Sequence, residues 1–184
     1  MAKILTFSGH DFDLLDPEAS VWSIIDIAHG LSNLCRFGGH TSTFYSVAQH
    51  SVVMSRHVPE RLALAALFHD AAEAFVGDMP SPLKALLEDY RAIEARTQAA
   101  ILRRLGLPQD LPPEIKEADR VLLATERRDL LPPGASTWPV LTGVEPLVER
   151  IVPLAPPQAR AAFLARAVEL LGEDLVGRTL RGSS

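Results

Sequence analysis

The sequence predicts an all-α fold from three observations. Long stretches carry apolar residues at helical spacing, strand patterns are weak, and prolines divide the second half into short pieces, with ten of the 14 prolines between Pro108 and Pro157. The length of 184 residues is typical of one domain, and an apolar fraction of 47% allows a sizeable core. We therefore expect residues 1–184 to form a single compact bundle of about six helices.

The first three helices are expected over residues 24–35, 44–57 and 60–76. Ser23 is the expected N-cap of the first helix, and Gly77 is expected to end the third. Because the third helix is nearly all alanine, leucine and phenylalanine, it should be central and buried on most sides.

The last three helices are expected over residues 82–105, 113–131 and 157–175. Ser81 is the candidate N-cap of the fourth helix and Gly106 closes it, with residues 89–91 as a candidate break. The candidate strands are limited to residues 4–7 and 138–141.

Composition excludes several classes of protein. The single cysteine, Cys35, excludes a disulfide scaffold and a cysteine-based zinc cluster and fits a reducing compartment. The longest apolar run, residues 62–68, is far too short to span a membrane, and no secretory signal is seen. A net charge of −5 argues against a nucleic acid polymer as partner. We expect a cytoplasmic protein without membrane association.

Three ionisable side chains interrupt the third predicted helix. His69, Asp70 and Glu73 lie between the apolar residues 62–68 and 74–76. Burying an unpaired carboxylate costs several kcal/mol, so such groups are kept when they are paired, hydrogen-bonded or bound to metal. In a helix, Glu73 is one turn from both His69 and Asp70, so the three can serve one site. The alternative is a buried hydrogen-bonded pair with no further role.

Two residues on other helices complete a possible metal site. His50 lies on the apolar face of the second helix, and Asp119 lies one turn before Leu122 in the fifth. Each alone is more typical of a core histidine or a half-buried charge. With His69 and Asp70 they form two imidazoles and two carboxylates from three helices. This donor set suits Mn, Fe, Co, Ni or Zn better than Ca and leaves coordination positions for water and substrate.

The ordered set of His50, His69-Asp70 and Asp119 on separate helices resembles the HD-domain metal-dependent phosphohydrolases. Residues 45–51 and the segment His-Asp-Ala-Ala-Glu followed by Gly-Asp-Met-Pro-Ser-Pro, within residues 69–84, are similar to the bacterial 5′-deoxynucleotidase branch and its phage dNTP-hydrolysing relatives. The resemblance covers about residues 24–131. It implies a compact HD-domain helical bundle with the C-terminal helix, residues 157–175, packed on it.

The resemblance also implies roles for individual residues. The metal ligands would be His50, His69, Asp70 and Asp119, holding a divalent ion (Mn, Co, Ni, Fe, Zn or Mg). Glu73 would be the acid/base residue beside a metal-bound water that attacks phosphorus. Arg36 would orient the phosphate, and with Glu73 and Asp70 it completes the expected catalytic set.

The expected substrate contacts follow the third helix and Arg36. Asp78 would contact the sugar, with Pro80 and Ser81 shaping that wall, and Lys84 is a second candidate cation at the mouth. Phe37 stands where the 5′-deoxynucleotidases have tryptophan, which leaves the base and sugar preference open.

The expected function is removal of phosphate from a small nucleotide, in first place a deoxynucleoside 5′-monophosphate. A deoxynucleoside triphosphate hydrolase is the second hypothesis, and hydrolysis of a cyclic nucleotide or guanosine alarmone is a weaker one. A metal-stabilised regulatory module without catalysis is the non-enzymatic alternative. The relatives are commonly oligomers, so a homo-oligomer, dimer or higher, is a possible state.

Overall fold

The structure of the protein is a computed structural model that describes residues 2–134 and 137–173. These residues form eight α-helices, a two-stranded sheet and two 3₁₀ turns, so the all-α prediction is confirmed. The elements in chain order are β1 (Lys3–Leu5), β2 (Asp11–Asp13), α1 (Ile24–Asn33), the 3₁₀ turn Arg36–Gly39, α2 (Val47–His57), α3 (Glu60–Leu67), α4 (Glu73–Val76), α5 (Ser81–Lys84), α6 (Glu88–Arg104), α7 (Pro113–Leu130), the 3₁₀ turn Pro139–Leu141 and α8 (Pro156–Leu171).

The N-terminal segment forms a hairpin, in which β1 pairs antiparallel with β2 and Ile4 lies opposite Phe12. Phe12 is fully buried and stacks on Phe75 of α4, with 3.9 Å between the ring centroids. The strand expected at residues 4–7 is confirmed in part, because β1 ends at Leu5. The strand expected at 138–141 is wrong; Pro139, which has no N–H to donate to a sheet, begins a 3₁₀ turn instead.

Two hydrophobic clusters hold the helices together. α8 packs against α1, α2 and α3, and its Phe163 lies edge-on to Phe68 in the main cluster. A smaller cluster joins α2 and α3 to α7 through Met54, Leu62 and Leu122. These contacts put α2 and α3 at the centre of the protein. The last two residues of the expected C-terminal helix, 174 and 175, lie outside the described residues.

The prediction of one helix over residues 60–76 is wrong. α3 ends at Leu67 and α4 starts at Glu73, and the residues between them form turns. The Ala71 N–H bonds to the Phe68 carbonyl at 3.2 Å, and the Glu73 N–H bonds to the Asp70 carbonyl at 3.0 Å. Bonds of the i→i+3 type therefore replace the i→i+4 ladder, and His69 and Asp70 lie in a gap between two helices.

The expected helix over residues 82–105 is also divided. Residues 85–87 separate α5 from α6, whereas the candidate break at 89–91 is helical. Ser81 lies in the first turn of α5, and Pro80 takes the cap position expected for Ser81. Ser23 does cap α1, where it forms a capping box with Asp26, as predicted.

No helix within residues 2–134 and 137–173 is long and apolar enough to cross a lipid bilayer.

A glycine sets the distance between α1 and α4. A Cβ added at Gly30 would lie 2.9 Å from the Ala74 carbonyl oxygen and 3.0 Å from the Ala74 Cα. Although alanine is the better helix former, Gly30→Ala should lower the free energy of unfolding by about 1–3 kcal/mol, because backbone must move. Urea unfolding measures this change. Gly134→Ala, whose Cβ would meet nothing within 4 Å in the described chain, is the control; equal stability of both variants would contradict the prediction.

Candidate metal and catalytic site

His50 lies at the centre of the site, on the buried face of α2. Its side chain has no solvent exposure. Nδ1 donates to Glu126 Oε1 at 2.7 Å, and Nε2 lies 3.3 Å from Nε2 of His69. Burial and the Arg36 charge lower the pKa of His50, but the carboxylates of Glu126 and Asp119 outweigh them and raise it to about 9. A metal ion bound at Nε2 would therefore displace a proton.

The break between α3 and α4 supplies two more of the predicted ligands. His69 donates from Nδ1 to the Ala66 carbonyl at 2.8 Å, which turns its Nε2 toward His50. Asp70 Oδ2 lies 3.0 Å from His69 Nε2 and 3.7 Å from His50 Nε2. Burial raises the pKa of Asp70, but the two histidines and Arg36 oppose it and bring that pKa below its ordinary value.

α7 supplies the fourth predicted ligand. Asp119 Oδ1 lies 3.3 Å from His50 Nε2, and the ligand atoms of His50, His69 and Asp119 all lie within 4.8 Å of one another. The structure therefore brings together all four side chains that the sequence singled out, from α2, the α3–α4 break and α7.

This donor set fits a divalent metal ion. Both histidines use Nδ1 for a hydrogen bond, so Nε2 is the atom that each can offer to a metal ion. Metal-bound histidines usually donate their other ring N–H to a carboxylate or a backbone carbonyl in this way. With metal–nitrogen distances of about 2.0–2.1 Å, two ligands of one ion lie roughly 2.8–3.4 Å apart. The observed 3.3 Å between the Nε2 atoms lies in that range. His50, His69 and Asp119 form a possible metal site, and Asp70, with Oδ2 3.0 Å from His69 Nε2, lies beside it as the fourth predicted ligand.

Glu126 is a buried residue of the candidate site that the sequence did not predict. Its carboxylate has no solvent exposure and accepts from Arg36 Nη2 at 3.0 Å as well as from His50. Burial raises its pKa, but the charges of Arg36 and His50 outweigh this and lower it. The signal was a second carboxylate two helical turns after Asp119, on the same face as the buried Leu122.

Glu73 begins α4 beside these ligands. It is 5% exposed, and Oε2 has no hydrogen-bond partner among the described residues. Lys84 Nζ lies 3.6 Å from the other oxygen, Oε1. Burial and the charges of Asp70 and Asp78 raise the pKa of Glu73 well above its ordinary value. The Glu73 carboxyl therefore keeps its proton to a higher pH than an exposed glutamate does.

The remaining predicted residues lie in the 3₁₀ turn Arg36–Gly39 and in the segment from residue 78 to residue 81. Phe37 has a left-handed backbone (φ 56°), and its ring centroid lies 5.4 Å from the Arg36 guanidinium carbon. Pro80 faces the same 3₁₀ turn, since a Cβ added at Gly38 would lie 3.7 Å from Pro80 Cγ. Asp78 is half-buried, and burial raises its pKa against the opposing charge of Arg36. Ser81 is exposed at the start of α5.

A cavity of about 220 Å³ opens beside the ligands. It is lined by His69, Asp70, Ala72, Glu73, Lys84, Glu94, Ala95 and Gln98. Its walls therefore come from the α3–α4 break, α5 and α6.

Comparison with known proteins assigns the family. Residues 39–129 match the model described as 5′-deoxynucleotidase YfbR-like. The uncharacterized protein YfdR of Escherichia coli (strain K12) is 48% identical over 174 residues, which cover 92% of this chain and 96% of that protein. The chain belongs to the YfbR-like 5′-deoxynucleotidase family, which is of the HD type.

Other relatives of this YfbR-like chain differ in coverage. The uncharacterized protein RCAP_rcc00048 of Rhodobacter capsulatus is 38% identical over 184 residues, covering 89% of this chain and 93% of that protein. The 5′-deoxynucleotidase of Vibrio cholerae serotype O1 is 33% identical over 75 residues, 39% of this chain and 36% of that protein. The YfbR-like match includes His50, Asp119 and Glu126, whereas Arg36 and Phe37 precede it.

The Glu126–His50 contact predicts a change in metal affinity. Glu126→Gln keeps an oxygen for the His50 Nδ1–H but removes the buried charge, so affinity for Mn²⁺ should fall about 10–100-fold. Isothermal titration calorimetry measures it. The control is Glu117→Gln, an exposed glutamate on the same helix. Unchanged affinity in Glu126→Gln would contradict a role for Glu126 in orienting His50.

The raised pKa of Glu73 predicts a pH effect on the metal-free protein. A carboxyl whose pKa is higher in the folded state stabilises the fold below its unfolded pKa and loses that contribution as pH rises through the folded pKa. Glu73→Gln should remove this dependence, so its stability relative to the parent chain should rise between pH 5 and pH 8. Chemical unfolding at both pH values in the presence of a chelator measures the difference; a constant difference would contradict the assignment.

Proposed function

We propose that the chain is a metal-dependent phosphohydrolase that removes phosphate from a small nucleotide, with deoxynucleoside 5′-monophosphates as the preferred substrates. The observation that carries the proposal is the convergence of four metal-ligand side chains beside one buried guanidinium and one buried carboxyl. The printed names of relatives such as the Vibrio cholerae enzyme, 5′-deoxynucleotidase, support this substrate class.

His50, His69, Asp70 and Asp119 would hold the divalent ion. When bound, it would lower the pKa of a water molecule and polarise a phosphoryl oxygen. Mn, Co, Ni, Fe, Zn and Mg are all compatible with the two-nitrogen, two-carboxylate donor set, and the choice among them is a matter for experiment.

Arg36 would bind the phosphate. Its Nη2 is held by Glu126, while Nη1 lies 3.7 Å from Asp70, beyond hydrogen-bonding distance. The guanidinium is thus anchored at one nitrogen and keeps donors for a phosphoryl oxygen. A fixed cation at this point offsets the charge that develops on the phosphoryl oxygens in the transition state.

Glu73 would move the proton. Its buried Oε2, free of protein partners within the described residues, can take a proton from the attacking water or deliver one to the leaving sugar oxygen. Lys84 Nζ lies 3.6 Å from the other oxygen and places a positive charge beside it. Burial raises the pKa of this carboxyl, so its ionised form is a stronger base than that of an exposed glutamate.

The cation count favours a monophosphate over a triphosphate. Near the ligands, Lys84 is engaged by Glu94 at 2.6 Å and Arg36 by Glu126. Arg120, a third candidate, pairs with the exposed Glu117 and bonds to the Val140 carbonyl. Arg36, which Glu126 holds through Nη2, can still bind one phosphoryl group, whereas the β and γ phosphates of a triphosphate would need further cations. Asp78, Pro80, Ser81 and Phe37 would form the wall that receives sugar and base.

A phosphate-release assay tests the proposal. The metal-free protein would be reloaded with each of the six metals and given deoxy- and ribonucleoside mono- and triphosphates. We expect metal-dependent phosphate release from deoxynucleoside monophosphates, with kcat lowered about 10²–10⁴-fold by Glu73→Gln. Asp70→Asn should lose metal and activity together, and Glu117→Gln should match the parent chain.

Two results would contradict the proposal. Release of pyrophosphate or intact triphosphate would favour the triphosphate hydrolase. Absence of turnover on every nucleotide with every metal, in protein that binds metal, would favour the regulatory module.

A further inference from the structure

We propose that α6 carries a stripe of positioning residues, Tyr90, Glu94 and Gln98, and that Gln98 holds open the helix break on which the metal site depends. The three residues are spaced four apart, so they share one face of the helix. The inference rests on the proposed metal-dependent hydrolysis for its catalytic consequence. Its structural claim about the ligands is independent of the substrate.

Gln98 occupies the place of a missing helical hydrogen bond. In an unbroken helix the Ala72 N–H would donate to the Phe68 carbonyl four residues earlier. Here Gln98 Nε2 donates to that carbonyl at 2.7 Å, and the Ala72 N–H donates to Gln98 Oε1 at 2.9 Å. A primary amide has one donor end and one acceptor end, so it pairs with the Ala72 N–H and gives the Phe68 carbonyl a second donor beside the Ala71 N–H.

The approach of Asp70 to His69 depends on this break. Adjacent residues of an α-helix point about 100° apart and do not face each other. In the break, Asp70 Oδ2 comes within 3.0 Å of His69 Nε2. If residues 68–72 closed into a continuous helix, the two side chains would separate and one predicted ligand would leave the metal position.

Glu94 and Tyr90 also form hydrogen bonds to segments that neighbour the helix break. Glu94 Oε1 accepts from Lys84 Nζ at 2.6 Å, and Lys84 is the cation beside Glu73. Tyr90 donates from its hydroxyl to the Gly77 carbonyl at 2.7 Å, next to Asp78. Three segments are therefore supported from one helix. They are the break that carries two predicted metal ligands, the cation beside Glu73, and the backbone next to Asp78.

The stripe is a positioning device, since Gln98 contacts the backbone of residues 68 and 72 while the predicted ligands lie between them. Glu94 and Gln98 are half-buried and line the cavity beside the ligands.

The test uses two substitutions at Gln98 and one matched control. Gln98→Met keeps a side chain of similar length without hydrogen-bonding groups, and Gln98→Glu keeps the acceptor for the Ala72 N–H while losing the donor. Gln109→Met, at an exposed glutamine of the loop after α6, is the control. Thermal melting and far-ultraviolet circular dichroism first establish that each variant is folded.

The readouts separate positioning from general stability. We expect Gln98→Met to weaken Mn²⁺ binding about 10–100-fold and, at saturating metal, to lower kcat about tenfold or more with little change in KM. The absorption spectrum of the Co²⁺-loaded protein, which reports ligand geometry, should change in Gln98→Met and not in Gln109→Met. Gln98→Glu should lie between Gln98→Met and the parent chain in metal affinity.

Each outcome bears on one claim. A folded Gln98→Met with parental metal affinity, Co²⁺ spectrum and kcat would overturn the inference, whether or not the phosphohydrolase proposal stands. If the parent chain turns over no nucleotide, the catalytic proposal fails, and metal affinity with the Co²⁺ spectrum still decides the role of Gln98. If Gln98→Met is unfolded, Gln98→Glu gives the same decision.

Discussion

The carboxylate of Glu126 is the interaction on which the rest of the site depends. It has no solvent exposure, and it bonds at once to Arg36 and to His50. Because a buried charge must be compensated, this one contact ties α7 to α2 and to the 3₁₀ turn Arg36–Gly39. It also fixes the two groups that the proposed chemistry needs most, an imidazole with Nε2 free and a guanidinium anchored at one end.

The gap between α3 and α4 follows from the same constraint. An apolar central helix gives no partners to His69, Asp70 and Glu73, and burial without partners is costly. Breaking the helix brings His69 and Asp70 close to His50, and Gln98 bonds to two backbone groups of the break, the Ala72 N–H and the Phe68 carbonyl. The polar site at the centre of the core is thus supported by a side chain from another helix.

Features that depend on residues close together in the sequence could be predicted. The all-α class, the Ser23 cap and the polar residues inside an apolar helix were all visible in it, and the structure brings the predicted ligands His50, His69, Asp70 and Asp119 together. Glu126 is followed by Arg127 and Arg128, a pattern typical of an exposed helix face, and its partners Arg36 and His50 lie on other elements. The break at residues 68–72 could not be predicted from helix periodicity, since Gln98, which stabilises it, lies on another helix. Tertiary contacts decided both cases.

The metal site can be located by diffraction from crystals soaked in Mn²⁺, recorded where manganese scatters anomalously. We expect one strong anomalous peak within about 2.0–2.3 Å of His50 Nε2, His69 Nε2 and carboxylate oxygens of Asp70 and Asp119. In the same crystals Glu126 should still bond to His50 and Arg36. No peak at that position, or a peak bound only by other carboxylates, would contradict the account.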